Sequence, residues 1–145
     1  MAPNKESLKQ PWVQEYLARP VLARLGTANP RTSQPHVTPV WFEWDGESLW
    51  ISAFSSTRKV KEAAKNPKIS VLIDSAEENG PTRGVLMEGT AELIRDPAVV
   101  PERATSIYTR YLGPTGVLAK DPQSWISDPE NTIIKLTPER VYVWG

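Results

Sequence analysis

The chain has 145 residues, with 17 Lys plus Arg against 17 Asp plus Glu and a formal net charge of zero. That balance argues against a dedicated nucleic-acid binder, which carries a basic excess to displace counterions. With no cysteine and a single histidine, disulfides, thiolate catalysis, zinc–sulfur sites and multi-histidine metal cages are excluded, and no metal site is expected.

The first 18 residues read as an N-terminal helical arm on a single domain that spans residues 1–145. A short helix starts after Pro11, with Trp12, Tyr16 and Leu17 on one face, and Pro20 stops it. Residues 20–28 read as a strand in which Val21, Ala23 and Leu25 alternate with Leu22 and Arg24. Residues 29–34 carry turn chemistry. Residues 36–44 and 47–53 are extended and rich in β-branched and aromatic residues, with Asp45-Gly46 between them, a hairpin signal. A two-residue turn would set Trp44 opposite Glu47, Phe42 opposite Leu49 and Val40 opposite Ile51. Val40, Phe42, Leu49 and Ile51 then form an interior face. Pro39, Trp41, Trp50 and Ser52 form an outer face apolar enough to be covered or to bind a ligand.

Residues 54–56 read as a loop and Thr57 as the N-cap of a helix over 58–66, buried through Val60, Ala63 and Ala64. Residues 68–73 alternate as a strand, 74–81 read as a polar turn, and 83–94 as a long strand. Gly89 in that strand predicts a bulge or a close backbone approach. Asp96-Pro97 opens a helix to about Tyr111, residues 113–123 read as a loop, and Asp121-Pro122 opens a short turn around Trp125. Residues 132–136 and 140–144 are the last strands. Several short strands with hairpin signals predict a mainly β chain with flanking helices, built on a small antiparallel barrel.

One stretch carries the chemistry of a binding site. Ser52-Ala53-Phe54-Ser55-Ser56-Thr57-Arg58-Lys59 joins a strand end to a helix start. Backbone amides at a helix N-terminus attract anions, and hydroxyls with Arg and Lys add donors and charge. The stretch suits a phosphate, although it lacks the glycines of a Walker loop. The bland alternative is a capped surface helix with solvated cations. His36 beside a proline is more commonly a packing residue than a base or a haem ligand. Asp74, Glu77 and Glu78 read as a solvated hairpin tip with no fixed coordination geometry. No Ser-His-Asp triad is readable, so no catalytic residue is assigned, and any enzymatic chemistry would come from a bound cofactor.

The ordered run of Pro35-His36-Val37-Thr38-Pro39-Val40-Trp41-Phe42, the Asp-Gly hairpin, Arg58-Lys59-Val60, Asn66-Pro67 and the segment from Arg83 to Ala91 resembles the pyridoxamine 5′-phosphate oxidase-like FMN-binding split-barrel family. The resemblance implies a six-stranded antiparallel split β-barrel that forms a homodimer with flavin between subunits. It implies phosphate held by Ser52, Thr57, Arg58 and Lys59, and the ring facing the backbone of Val37, Thr38, Pro39 and Val40 beside Trp41. Trp125 and Arg83 are candidates to close the site from the second subunit. The oxidases that give the family its name carry a longer C-terminal segment with a substrate-phosphate arginine, so their activity is not expected here. The short relatives bind FMN or the deazaflavin F420, and Lys61, Lys65 and Lys68 would either meet the acidic tail of F420 or stand solvated. The expected function is a flavin-dependent oxidoreductase that transfers hydride to or from a small organic substrate. The alternative is a non-catalytic protein of the same fold that binds or senses flavin, haem or another tetrapyrrole. No apolar run approaches the ~20 residues that span a bilayer, and the N-terminus lacks an apolar signal core. A cytoplasmic protein with neither membrane nor nucleic-acid partner is expected.

Overall fold

In a computed structural model that describes residues 1–76, 80 and 82–145, eight strand segments form one curled antiparallel sheet. They are β1 (Ala23–Ala28), β2 (Pro35–Val40), β3 (Phe42–Trp44), β4 (Leu49–Phe54), β5 (Lys68–Ala76), β6 (Thr82–Ile94), β7 (Asn131–Leu136) and β8 (Arg140–Trp144). The helices are α1 (Pro11–Leu17), α2 (Arg58–Lys65), α3 (Val100–Gly116) and α4 (Lys120–Ser127), preceded by a 3-10 turn over Lys5–Lys9. Neighbours run β2-β1-β5-β6-β7-β4-β3. Because β2 runs into β3 through Trp41, the circuit closes on itself as a six-stranded barrel. β8 is the addition to that count: it lies along the first half of β6, from Gly84↔Trp144 to Glu88↔Arg140.

Two strands turn the sheet. β6 pairs β8 up to Glu88 and β7 from Ala91. Gly89 stands where the chain crosses between them. A Cβ there would come within 2.9 Å of Leu136 Cδ1 and 3.2 Å of the Thr137 carbonyl, the close approach that the sequence anticipates. The other turning strand is β2–β3. β2 pairs β1 along its whole length, whereas β3 leaves that partner and pairs β4. The β3–β4 ladder ends at Phe42↔Ile51. Beyond it β2 and β4 part, and their facing edges have no strand partner among the described residues. This parting is the split in the barrel.

The hairpin register differs from the two-residue expectation. Trp44 pairs Leu49 and Phe42 pairs Ile51, so the loop is Asp45 to Ser48. The Asp45 carboxylate accepts from the amides of Glu47 (2.8 Å) and Ser48 (2.6 Å) and from Trp50 Nε1 (2.9 Å), and that rewards the longer loop. The slip is two residues, one full side-chain period, so the face assignment survives. Val40, Phe42, Leu49 and Ile51 are buried in the barrel core with Leu25, Val71, Ile73, Val85 and Met87. Val13, Tyr16 and Leu17 of α1 join that core, while Trp12 packs only against its margin.

Other boundaries move for physical reasons. The first strand starts at Ala23, where pairing with Val40 begins, rather than at Pro20. Residues 74–76 continue β5 instead of turning, because they pair Gly84, Arg83 and Thr82, and Arg24 pairs with Asp74 across β1 and β5. Glu77 and Glu78 of the expected hairpin tip lie outside the described residues. In α2 the inward stripe is Val60, Glu62 and Ala63, and Ala64 is exposed. The expected loop at 113–123 is helical over much of its length. Gly113, at φ +79°, kinks α3, and α4 starts at Lys120.

α3 covers the outer face of β3, β4 and β7. Ala104, Ile107 and Tyr108 bury Trp50 and Ile133 in a second apolar cluster. Arg103 bonds Glu43 at 3.1 Å and lies 3.9 Å over the Trp50 ring. Among the described residues no helix is long and apolar enough to cross a membrane, and no cluster of His, Asp or Glu that could hold a metal is present.

Candidate cofactor site

The split between β2 and β4 opens into a cleft of about 380 Å³. Pro39, Val40 and Trp41 line one lip, Ser52, Ala53 and Phe54 the other, and Thr57 and Lys59 stand at the start of α2. The sequence motifs thus meet from segments separated along the chain. Tyr108 and Asn131 complete the wall. No sequence pattern marks these two, because they reach the cleft only through the packing of α3 and β7.

The upper end of the split is sealed by Tyr111. The amide of Phe42 donates to the Tyr111 hydroxyl (3.1 Å), which itself donates to the Val21 carbonyl (2.8 Å). Burial pushes the Tyr111 phenol above its ordinary value, against the bond from Phe42. The phenol is neutral and fit for both roles. Below it, the Ser52 hydroxyl donates to Asn131 Oδ1 and lies 2.7 Å from the Tyr108 hydroxyl, while Asn131 Nδ2 donates to the Trp125 carbonyl at 3.0 Å. Ser52 therefore sits in the cleft wall with its hydroxyl engaged in a side-chain network.

The α2 end supplies the charge. Thr57 occupies the N-cap position, but its hydroxyl donates back to the Phe54 carbonyl (2.7 Å) and no side chain caps the helix. The first-turn amides of Arg58, Lys59 and Val60 are left for water or an anion. Lys59 is half-buried at the cleft and has no hydrogen bond or ion pair among the described residues. An uncapped first turn beside an unpaired ammonium suits a phosphate. The strand edges left free by the split suit the polar rim of a flat ring.

Not every candidate residue reaches the cleft. Arg58 turns to the opposite side of α2, where its Nε lies 3.3 Å from Glu62 Oε2. There it lines a groove of about 750 Å³ with Arg31, Lys61, Lys65 and Arg95. Val37 is exposed and does not line the cleft. The Thr38 side chain shares a face with Leu25, opposite it on β1, and its buried Oγ1 has no hydrogen-bond partner among the described residues. His36 is also outside the cleft; its Nδ1 lies 3.1 Å from Glu62 Oε1. Lys68 lines a separate hollow with His36 rather than the basic groove. Trp125 stands edge-on to Tyr108, and Arg83 lies over Trp12.

A family model described as pyridoxamine 5′-phosphate oxidase matches residues 10–145. No curated protein matches the sequence. Among solved structures the chain is similar to an F420 reductase, at 25% identity over 89% of this chain and 94% of that one, with a TM-score of 0.71. It is similar to the conserved hypothetical protein Rv2991 from Mycobacterium tuberculosis (20% identity, 99% and 86% covered, TM-score 0.77). It is also similar to HutZ, the heme storage protein from Vibrio cholerae (15% identity, 92% and 93% covered, TM-score 0.74). The last two likenesses establish the fold alone.

Proposed function

The chain belongs to the pyridoxamine 5′-phosphate oxidase family, and from that premise we propose an oxidoreductase that binds FMN or the deazaflavin F420 in the split of the barrel. The carrying observation is the half-buried Lys59, unpaired among the described residues, beside the uncapped first turn of α2, at the mouth of a cleft bounded by strand edges that those residues leave free. Lys59 and the first-turn amides hold the phosphate. The β2 lip, through its backbone at Pro39 and Val40, orients the ring beside Trp41. When bound, the ring supplies the hydride chemistry, and the chain positions it and excludes water. No acid or base of the chain is assigned to the reaction.

The basic groove favours F420 over FMN. It begins on the far side of the same helix turn and gathers Arg31, Arg58, Lys61, Lys65 and Arg95 in a chain of zero net charge. FMN ends at its phosphate, whereas F420 continues into an acidic tail that such a groove attracts. The site is proposed to be completed by a second copy of the chain. Leu22, at the cleft, and Val37, beside it on β2, are large apolar side chains that are 49% and 63% exposed, a cost that a covering subunit removes. His36 is engaged with Glu62 outside the cleft, which disfavours haem ligation by the single histidine.

Fluorescence titration with F420 and FMN tests the proposal. Saturable binding, weakened by Lys59→Ala in a protein of unchanged thermal transition, is expected. Failure of both ligands to bind the unaltered protein removes the reading.

A further inference from the structure

Glu62 is a charged residue on the buried face of a helix otherwise held to the barrel by Val60 and Ala63. Apolar contacts of this kind are non-directional and permit sliding. A carboxylate buried there is tolerated only if donors converge on it, and they do, from two strands and from α2 itself. The Thr27 hydroxyl of β1 donates to Oε1 at 2.8 Å. His36 Nδ1 of β2 lies 3.1 Å from the same oxygen. Arg58 Nε donates to Oε2 at 3.3 Å. Burial opposes ionisation, but the bonds from Thr27, Arg58 and His36 outweigh it and hold the carboxyl below its ordinary value. With Glu62 ionised, this arrangement assigns the proton to His36 Nδ1.

Two consequences follow from that placement. Arg58 is drawn to the groove side of α2, which leaves Lys59 as the one cation at the cleft among the described residues. His36 is the second residue of the strand whose next residues, Val37 to Val40, lead into the cleft lip. One carboxylate thus joins the phosphate end of the proposed site to its ring end.

We propose that Glu62 is a positioning residue for the bound cofactor: it locks α2 to β1 and β2, and so sets the spacing between the phosphate-binding turn and the strand edge that meets the ring. This rests on the function proposed above. The lock matters only for a ligand that spans both ends. A ring without phosphate touches one end and is indifferent to it.

The test compares F420 with its phosphate-free, tail-free chromophore, and FMN with riboflavin, by fluorescence titration at one ionic strength. In the unaltered protein the phosphate-bearing member binds more tightly. In Glu62→Gln that advantage falls by about tenfold, whereas the phosphate-free member changes by less than about threefold. Electrostatics alone gives the opposite sign, since removing a negative charge beside the site should tighten phosphate binding. Thr27→Val and His36→Phe each remove one donor and are expected to shift the ratio in the same direction; they carry the test if Glu62→Gln does not fold. Equal weakening of both members, an unchanged ratio or a tightened phosphate member overturns the positioning role and leaves the cofactor assignment standing. Failure of the unaltered protein to bind either pair overturns the cofactor assignment, and the positioning role falls with it.

Discussion

Trp41 lies flat on Tyr111, with ring centroids 4.7 Å apart and planes 5° from parallel. Trp41 is the residue at which the chain leaves β2 for β3, and the Tyr111 hydroxyl bonds the next amide, that of Phe42. Helix α3 therefore fixes the point where the barrel splits. Tyr111→Phe keeps the stack and removes the hydroxyl, leaving the Phe42 amide and the Val21 carbonyl without this partner. A loss of about 1–3 kcal/mol is expected, read by chemical denaturation. Tyr111→Ala removes the stack as well and should cost more. Equal stability of Tyr111→Phe and the unaltered protein would show that water replaces the hydroxyl at no cost.

Lys59 and Arg58 are neighbours in sequence but serve different pockets. Lys59→Ala should weaken FMN and F420 alike, by about tenfold or more, because both carry the phosphate proposed to lie against it. Replacing Lys61 and Lys65 together by Gln should weaken F420 and spare FMN. The F420 affinity should also fall more steeply between about 0.05 and about 0.5 M salt, since exposed charges are screened over that range. Titrations of both ligands at several salt concentrations check this. Parallel losses for FMN and F420 in the double variant would exclude the groove as the tail site.

Acid should unfold the protein through two depressed carboxyls. Burial opposes ionisation of Asp45, but the Ser48 amide, the Trp50 indole and the Glu47 amide outweigh it, and Arg103 adds its charge. Glu62 is depressed likewise. A group whose folded pKa lies below its unfolded one contributes stability that is complete above the unfolded value. That stability is lost as the pH falls through the folded value. The ordinary values are 3.8 for Asp45 and 4.5 for Glu62. The thermal midpoint should therefore hold above those values and decline below them. Glu62→Gln should decline less steeply, and an acid limb identical to that of the unaltered protein would remove Glu62 from this linkage.

Gly84 faces Trp144 across the β6–β8 ladder, and a Cβ on Gly84 would overlap the indole. Gly84→Ala should displace Trp144 and cost about 1–3 kcal/mol, as overpacking does. Adding Trp144→Ala should recover part of the loss. A double-mutant cycle measures that coupling, and strict additivity would show that the ring moves freely.

The alternation from Val40 through Ile51 is legible in the sequence, and it holds even though the hairpin loop is longer than the Asp-Gly pair suggests. A two-residue slip returns every side chain to its own face, because a strand repeats every two residues. The composition of the turn proposed to bind phosphate is legible for a related reason: hydroxyls, cations and a helix start are local features. The orientation of those groups is not. Thr57 is a good N-cap by type, yet its hydroxyl turns to Phe54. Arg58 is a good phosphate ligand by type, yet it goes to Glu62. Local propensity lists what a side chain can bond, and the competition among partners is settled by what folding brings near.

By itself, the sequence determined the strands, the inward face of the barrel and the chemistry gathered at the start of α2. These depend on the spacing and type of neighbouring residues. The tertiary structure alone decided where the barrel opens, which cation faces the opening, and that a glutamate on a short helix becomes the junction of two strands. Glu62 meets residues 26 and 35 positions before it, and Tyr111 meets one 69 positions before it. Contacts at such separations follow from closing the whole sheet, and no local pattern encodes them.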